Sequence, residues 1–138
     1  MTKAATGSCL CGKITLKAQQ MNTSLGACHC ATCRKWTGGP FLAVDCGSNV
    51  NVQGEEFLSV YNSSDWGERA FCKSCGTILF FRLKDHSFYS VSAELFNEPE
   101  FKFETQIFID SKPDYYEFAN STKKMTGEEV FAAFAPKS

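Results

Sequence analysis

The chain has 138 residues, 43% of them hydrophobic, with 14 Lys and Arg set against 15 Asp and Glu for a formal net charge of −1. That length suits one domain spanning residues 1–138 with a sizeable core, and 13 phenylalanines alongside 21% charged residues exclude a disordered chain. No Lys/Arg run exceeds two residues and no apolar run approaches the roughly eighteen of a membrane span, so neither nucleic-acid nor membrane partners are expected.

The opening residues, MTKAATGSCLCGKI, lack the apolar stretch of a secretory signal, and the expected location is the cytoplasm. Alternating or short β-branched and aromatic blocks then predict strands over Ile14 to Ala18, Phe41 to Val44, Phe57 to Tyr61, Thr77 to Leu83, Phe88 to Ser92 and Phe101 to Ile109. Turn-forming residues separate most of them: Gly38-Gly39-Pro40, Gly47-Ser48-Asn49, Asn62-Ser63-Ser64-Asp65 and Asn97-Glu98-Pro99. A helical turn is expected from Cys30 through Cys33 to Trp36. Near the end, Thr126-Gly127-Glu128-Glu129 has the form of a capping box, and Val130, Phe131 and Phe134 follow at helical spacing. The fold class is therefore mainly β with a short C-terminal helix.

The chemistry is concentrated in cysteine. Seven of the eight fall into three tight groups: Cys9 with Cys11; Cys28, Cys30 and Cys33; and Cys72 with Cys75. In a reducing compartment such clusters are more often metal ligands than disulfides. Two pairs complete a tetrahedral zinc site of the closed, structural kind, whereas three thiols leave a fourth position for water or substrate. Spacing alone does not decide which pair joins which, and Cys9 and Cys11 have the central triplet as an alternative partner. His29 and Cys46 are the other candidates for a fourth ligand of the triplet, although a residue between two ligands usually points away from the metal. Cys46 is more simply a buried apolar residue, and His86 an exposed turn residue.

An open zinc held by three thiolates is a poor generator of hydroxide, because the ligands' charge exceeds that of the ion. It remains suited to deprotonating an arriving thiol. The expected substrate class is a small thiol or its adduct. Arg34 and Lys35, beside the triplet, are candidate substrate-binding residues able to grip a carboxylate.

At these residues the sequence resembles the glutathione-dependent formaldehyde-activating enzyme family, whose domain is shared with centromere protein V. The matching pieces are Gly7-Ser8-Cys9-Leu10-Cys11-Gly12, then Cys28-His29-Cys30-Ala31-Thr32-Cys33-Arg34-Lys35 with Gly38 behind it, then Phe71-Cys72-Lys73-Ser74-Cys75-Gly76-Thr77. Weaker likeness continues through Val91-Ser92-Ala93-Glu94-Leu95 to Pro99, and through Lys112-Pro113-Asp114-Tyr115-Tyr116. The resemblance implies a Mss4-like zinc-binding β fold with two zinc sites. Cys9, Cys11, Cys72 and Cys75 would hold the structural ion, and Cys28, Cys30 and Cys33 the open, catalytic one. It also implies a carbon-sulfur lyase that forms S-hydroxymethylglutathione from formaldehyde and glutathione. The competing expectation is a non-enzymatic, zinc-braced binding module that carries glutathione or recognises a protein partner.

Overall fold

The computed structural model describes residues 1–98 and 100–134. Pro99, the end of one predicted turn, lies outside them. Among the described residues eleven strands form two sheets, accompanied by two α-helices. The small sheet has the order β1-β2-β5, formed by β1 (Thr2–Ser8), β2 (Thr15–Asn22) and β5 (Val50–Gln53).

The large sheet takes in β3 (Ser24–Cys28), β4 (Phe41–Gly47), β6 (Leu58–Asn62), β7 (Gly67–Cys72), β8 (Ile78–Leu83), β9 (Tyr89–Ser92), β10 (Lys102–Ile107) and β11 (Lys123–Met125). Its order is β11-β10-β3-β4-β9-β8-β7-β6, antiparallel except where β10 runs parallel to β3 and β11. The fold is thus mainly β, as the alternation of the sequence implies.

All six predicted strands are present with ends displaced by a few residues. The Ile14 to Ala18 block starts one residue later and runs on to Asn22. Phe57 ends a short 3-10 turn that precedes β6, and the Phe101 to Ile109 block stops at Ile107 before a second such turn. The remaining strands have physical reasons for their weak signal. β1 is an exposed edge with no apolar alternation, β3 carries a central glycine, and β7 (GERAFC) places a charged residue on a buried face.

Packing follows the two-residue period of the strands. Leu16, Ala18 and Met21 of β2, with Ile14 just ahead of it, pack against Val44, Cys46, Leu79, Phe80 and Val91 of the large sheet to form the main core. Burying side chains of this size contributes about 1.5–3 kcal/mol each. The large sheet is buried on its other face as well. There, Phe41 and Ala43 of β4 and Ile78 and Phe81 of β8 pack with Trp36 around Cys28, Cys30 and Cys33.

Two helices complete the molecule. α1 (Ala31–Thr37) includes the predicted turn, and Gly38, in the left-handed conformation at φ 84°, ends it with its N–H on the Arg34 carbonyl. α2 (Gly127–Phe134) is the expected C-terminal helix. Its capping box closes in both directions: the Glu129 N–H donates to Thr126 Oγ1 at 3.2 Å, and the Thr126 N–H to Glu129 Oε1 at 2.9 Å.

Candidate metal centres

The four-cysteine centre is built by two tight turns brought together from residues far apart in sequence. After Cys9 the chain reverses, with the Gly12 N–H on the Cys9 carbonyl; after Cys72 the Gly76 N–H does the same on the Cys72 carbonyl. Both glycines have positive φ, 77° and 80°, a conformation that L side chains rarely adopt. These reversals bring Cys9, Cys11, Cys72 and Cys75 together, their sulfurs all within 4.8 Å of one another.

The sulfurs are also held by backbone donors. The Ile14 N–H points at Cys9 Sγ at 3.4 Å and the Cys75 N–H at Cys72 Sγ at 3.5 Å. Cys75 Sγ lies 3.1 Å from Thr77 Oγ1, and that contact holds its thiol down to about 5. Thr77 Oγ1 in turn accepts from the Leu10 N–H at 3.1 Å, tying the two turns to each other.

This donor set fits a zinc ion. A tetrahedron with bonds of about 2.3 Å has edges of about 3.8 Å. Cys9 Sγ is 3.6 Å from Cys11 Sγ, and Cys11 Sγ is 3.8 Å from Cys72 Sγ. All eight cysteines are free thiols rather than disulfides.

The three-cysteine centre lies on the other face of the large sheet. Cys28 ends β3, paired between Phe41 of β4 and Ile107 of β10. Cys30 is the N-cap of α1, its Sγ accepting from the Cys33 N–H at 3.3 Å, and Cys33 is buried one turn into the helix. The three sulfurs lie within 4.8 Å of one another, and no fourth His, Cys, Asp or Glu joins them among the described residues. They share charge unequally. Hydrogen bonds from Cys28 and Cys33 hold the Cys30 thiol down to about 2, and the complementary bonds push the Cys28 thiol up. Three converging sulfurs are the donor set that a thiophilic dication takes.

The two alternative fourth ligands are both committed elsewhere. His29 is completely buried, with Nδ1 2.8 Å from the Tyr116 hydroxyl and Nε2 2.8 Å from Gln106 Oε1. Gln106 Nε2 donates to Thr122 Oγ1, so its oxygen accepts from His29 Nε2–H and the Tyr116 hydroxyl donates to Nδ1. Burial pushes the imidazole pKa down and the Tyr116 phenol up, which favours this neutral arrangement. Cys46 sits in the main core, its thiol pushed up to about 12 by burial and by the neighbouring Asp45.

Of the two basic residues next to the triplet, Arg34 is half-buried with its Nε donating to the His29 carbonyl at 3.0 Å, while Lys35 is exposed. Lys35 stands at the rim of a cleft of about 530 Å³ lined by Thr32, Trp36, Tyr61, Arg69 and Phe71, a volume within the usual range for small-molecule sites. The guanidinium that reaches a sulfur of the triplet belongs to Arg69 of β7, whose Nη1 donates to Cys33 Sγ at 3.4 Å.

Neither Arg69 nor Gln106 stands out in the sequence. The usable signal for Arg69 is the period of GERAFC, which puts it on the same face as Phe71 and opposite Cys72. For Gln106 the alternation misleads, because a register shift between Phe103 and Thr105 turns it into the interior.

A mainly β protein with a four-thiol and a three-thiol cluster, the latter in contact with an arginine that lines a cleft, belongs to the class of β proteins whose cysteine clusters could hold metal ions. Within that class, residues 4–111 match the family model of the glutathione-dependent formaldehyde-activating enzyme, and the chain belongs to this family. It is 44% identical over 126 residues, 90% of this chain and 92% of the other, to a Schizosaccharomyces pombe protein named as an uncharacterized lyase. The crystal structure of a Rhodobacter sphaeroides protein shares the fold at a TM-score of 0.58 and 22% identity, covering 68% of this chain and 91% of that one. The family and the named relative support a lyase of glutathione-related chemistry. No helix among the described residues is long and apolar enough to cross a membrane.

Proposed function

We propose that the protein is a zinc-dependent carbon-sulfur lyase, or synthase in the reverse direction, acting on a glutathione adduct such as S-hydroxymethylglutathione. The observation that carries this reading is the triplet Cys28, Cys30 and Cys33, with no fourth ligand among the described residues and a cleft of substrate size beside α1. The four-cysteine centre is read as structural and the triplet as catalytic. A zinc ion on the three thiolates would supply the positive charge that keeps an incoming thiol deprotonated near neutral pH.

The protein's own part is to hold and orient. Cys30 and Cys33 are fixed by the first turn of α1, and Cys28 by the end of β3, so the three sulfurs present one constant face. His29, locked between Tyr116 and Gln106, fixes the peptide between two of them. Lys35 at the cleft rim, with Arg34 behind it, supplies positive charge for the carboxylates of glutathione. In the synthetic direction the glutathione thiolate attacks the formaldehyde carbon and forms the C–S bond. The carbonyl π pair moves to oxygen, which takes a proton to give the hemithioacetal. The lyase direction reverses each step.

The test is formation of S-hydroxymethylglutathione above the spontaneous rate, with Cys30→Ala as control. The expected result is turnover in the native protein and the background rate in the variant. Native turnover unchanged by Cys30→Ala would show that the chemistry lies elsewhere.

A further inference from the structure

Arg69 is a buried cation without a carboxylate. It is 9% exposed, and the ion pairs among the described residues are Lys3 with Glu98, and Arg82 and His86 with Glu68. Arginine is rarely buried unless something anionic compensates it, because taking its charge out of water is costly. The group it meets is a sulfur of the triplet, Cys33 Sγ, 3.4 Å from Nη1, which becomes anionic when it holds a metal ion.

The side chain is held where it is by packing. The guanidinium carbon lies 4.9 Å from the Trp36 ring centre and 5.2 Å from that of Phe81, which faces Arg69 across the β7–β8 pair. Its Nε–H is buried and has no acceptor among the described residues. An unpaired buried donor is costly unless a ligand completes it, and the same residue lines the cleft beside α1.

Charge arithmetic gives this arrangement a purpose. Three thiolates with a dication carry minus one, and a fourth, incoming thiolate would raise that to minus two in a half-buried site. A fixed guanidinium in contact with the Cys33 sulfur returns the total to minus one and lowers the cost of admitting an anion. We propose that Arg69 is the specificity-determining residue of the triplet centre: it selects a ligand that arrives as an anionic sulfur over one whose sulfur is neutral. This rests on the zinc-thiol reading above and adds to it the residue that discriminates. Arginine suits the task because it stays charged when buried, which lysine does not.

The experiment measures binding rather than turnover. Calorimetric titration of the zinc-loaded full chain uses glutathione, S-methylglutathione as the neutral-sulfur counterpart, and 2-mercaptoethanol as a thiol lacking the peptide. The native protein is expected to bind glutathione at least tenfold more tightly than S-methylglutathione. Arg69→Met, which keeps a long apolar side chain between Trp36 and Phe81, is expected to lose that preference by weakening glutathione tenfold or more while leaving S-methylglutathione unchanged. Arg69→Lys is expected to fall between the two, and guards against a packing defect in the methionine variant.

A preference retained in Arg69→Met overturns the assignment of Arg69 and leaves the glutathione reading standing. If 2-mercaptoethanol binds and depends on Arg69 while glutathione does not bind, the assignment holds and the glutathione reading falls. Binding of neither thiol by the native protein overturns both.

Discussion

On the zinc reading proposed above, the two cysteine centres put the same ligand chemistry to opposite ends. The four-thiol centre clamps residues more than sixty positions apart, Cys9 and Cys11 with Cys72 and Cys75, through two glycine-closed turns whose N–H groups point at sulfur. The three-thiol centre is local, spanning Cys28 to Cys33, and its surroundings would keep its shape without a metal: the β3–β4 pairing, the start of α1 and the buried His29 network. A clamp that joins distant chain segments contributes to stability, whereas a local cluster on a preformed scaffold is free to exchange its fourth partner. Arg69 sharpens the contrast, since its guanidinium contacts a sulfur of the three-thiol centre, while among the described residues no arginine donates to a sulfur of the four-thiol one.

Breaking the clamp should have the largest effect. Cys72→Ser is expected to remove one zinc and to lower Tm by about 30 °C, since a structural zinc site contributes on the order of 10 kcal/mol and each kcal/mol is about 3–4 °C at this size. Thermal unfolding followed by circular dichroism, with metal analysis, measures both. Cys30→Ala should remove the other zinc and reduce turnover to background while shifting Tm by only a few degrees. A Tm loss equal to that of Cys72→Ser would erase the distinction between the centres.

Intermediate effects test the scaffold of the open centre. His29→Ala leaves the Tyr116 hydroxyl and the Gln106 amide without their buried partner, at a cost of about 3 kcal/mol. A Tm roughly 10 °C lower and weaker zinc retention at the triplet are expected, with the four-cysteine zinc unaffected. The smallest effect belongs to the cap of the C-terminal helix, which supplies no ligand to either centre. Thr126→Ala opens the capping box of α2 at about 1 kcal/mol, a shift of a few degrees with no change in zinc content.

How much of this is legible in the sequence differs between the two centres. The triplet is a local motif, so CHCATC displays it outright, and the capping box and the β alternation are local in the same sense. Joining Cys9-Leu10-Cys11 to Cys72-Lys73-Ser74-Cys75 depends on strands meeting across the fold, which spacing leaves open and the family resemblance implies. β7 escapes because Arg69 occupies an inward position that strand patterns reserve for apolar residues. The conflict between local pattern and buried charge falls at the candidate site, where function is the usual reason for a rule to break. Gln106 is hidden by a bulge in β10, and Tyr116 by the loop that folds back over His29.

The most direct measurement is stepwise removal of zinc by a graded chelator, with metal release and circular dichroism followed together. The expected course is two zinc ions per chain, the first leaving without loss of structure and the second leaving only as the protein unfolds. A single ion, or two ions released together with unfolding, would contradict the division into one open centre and one clamp.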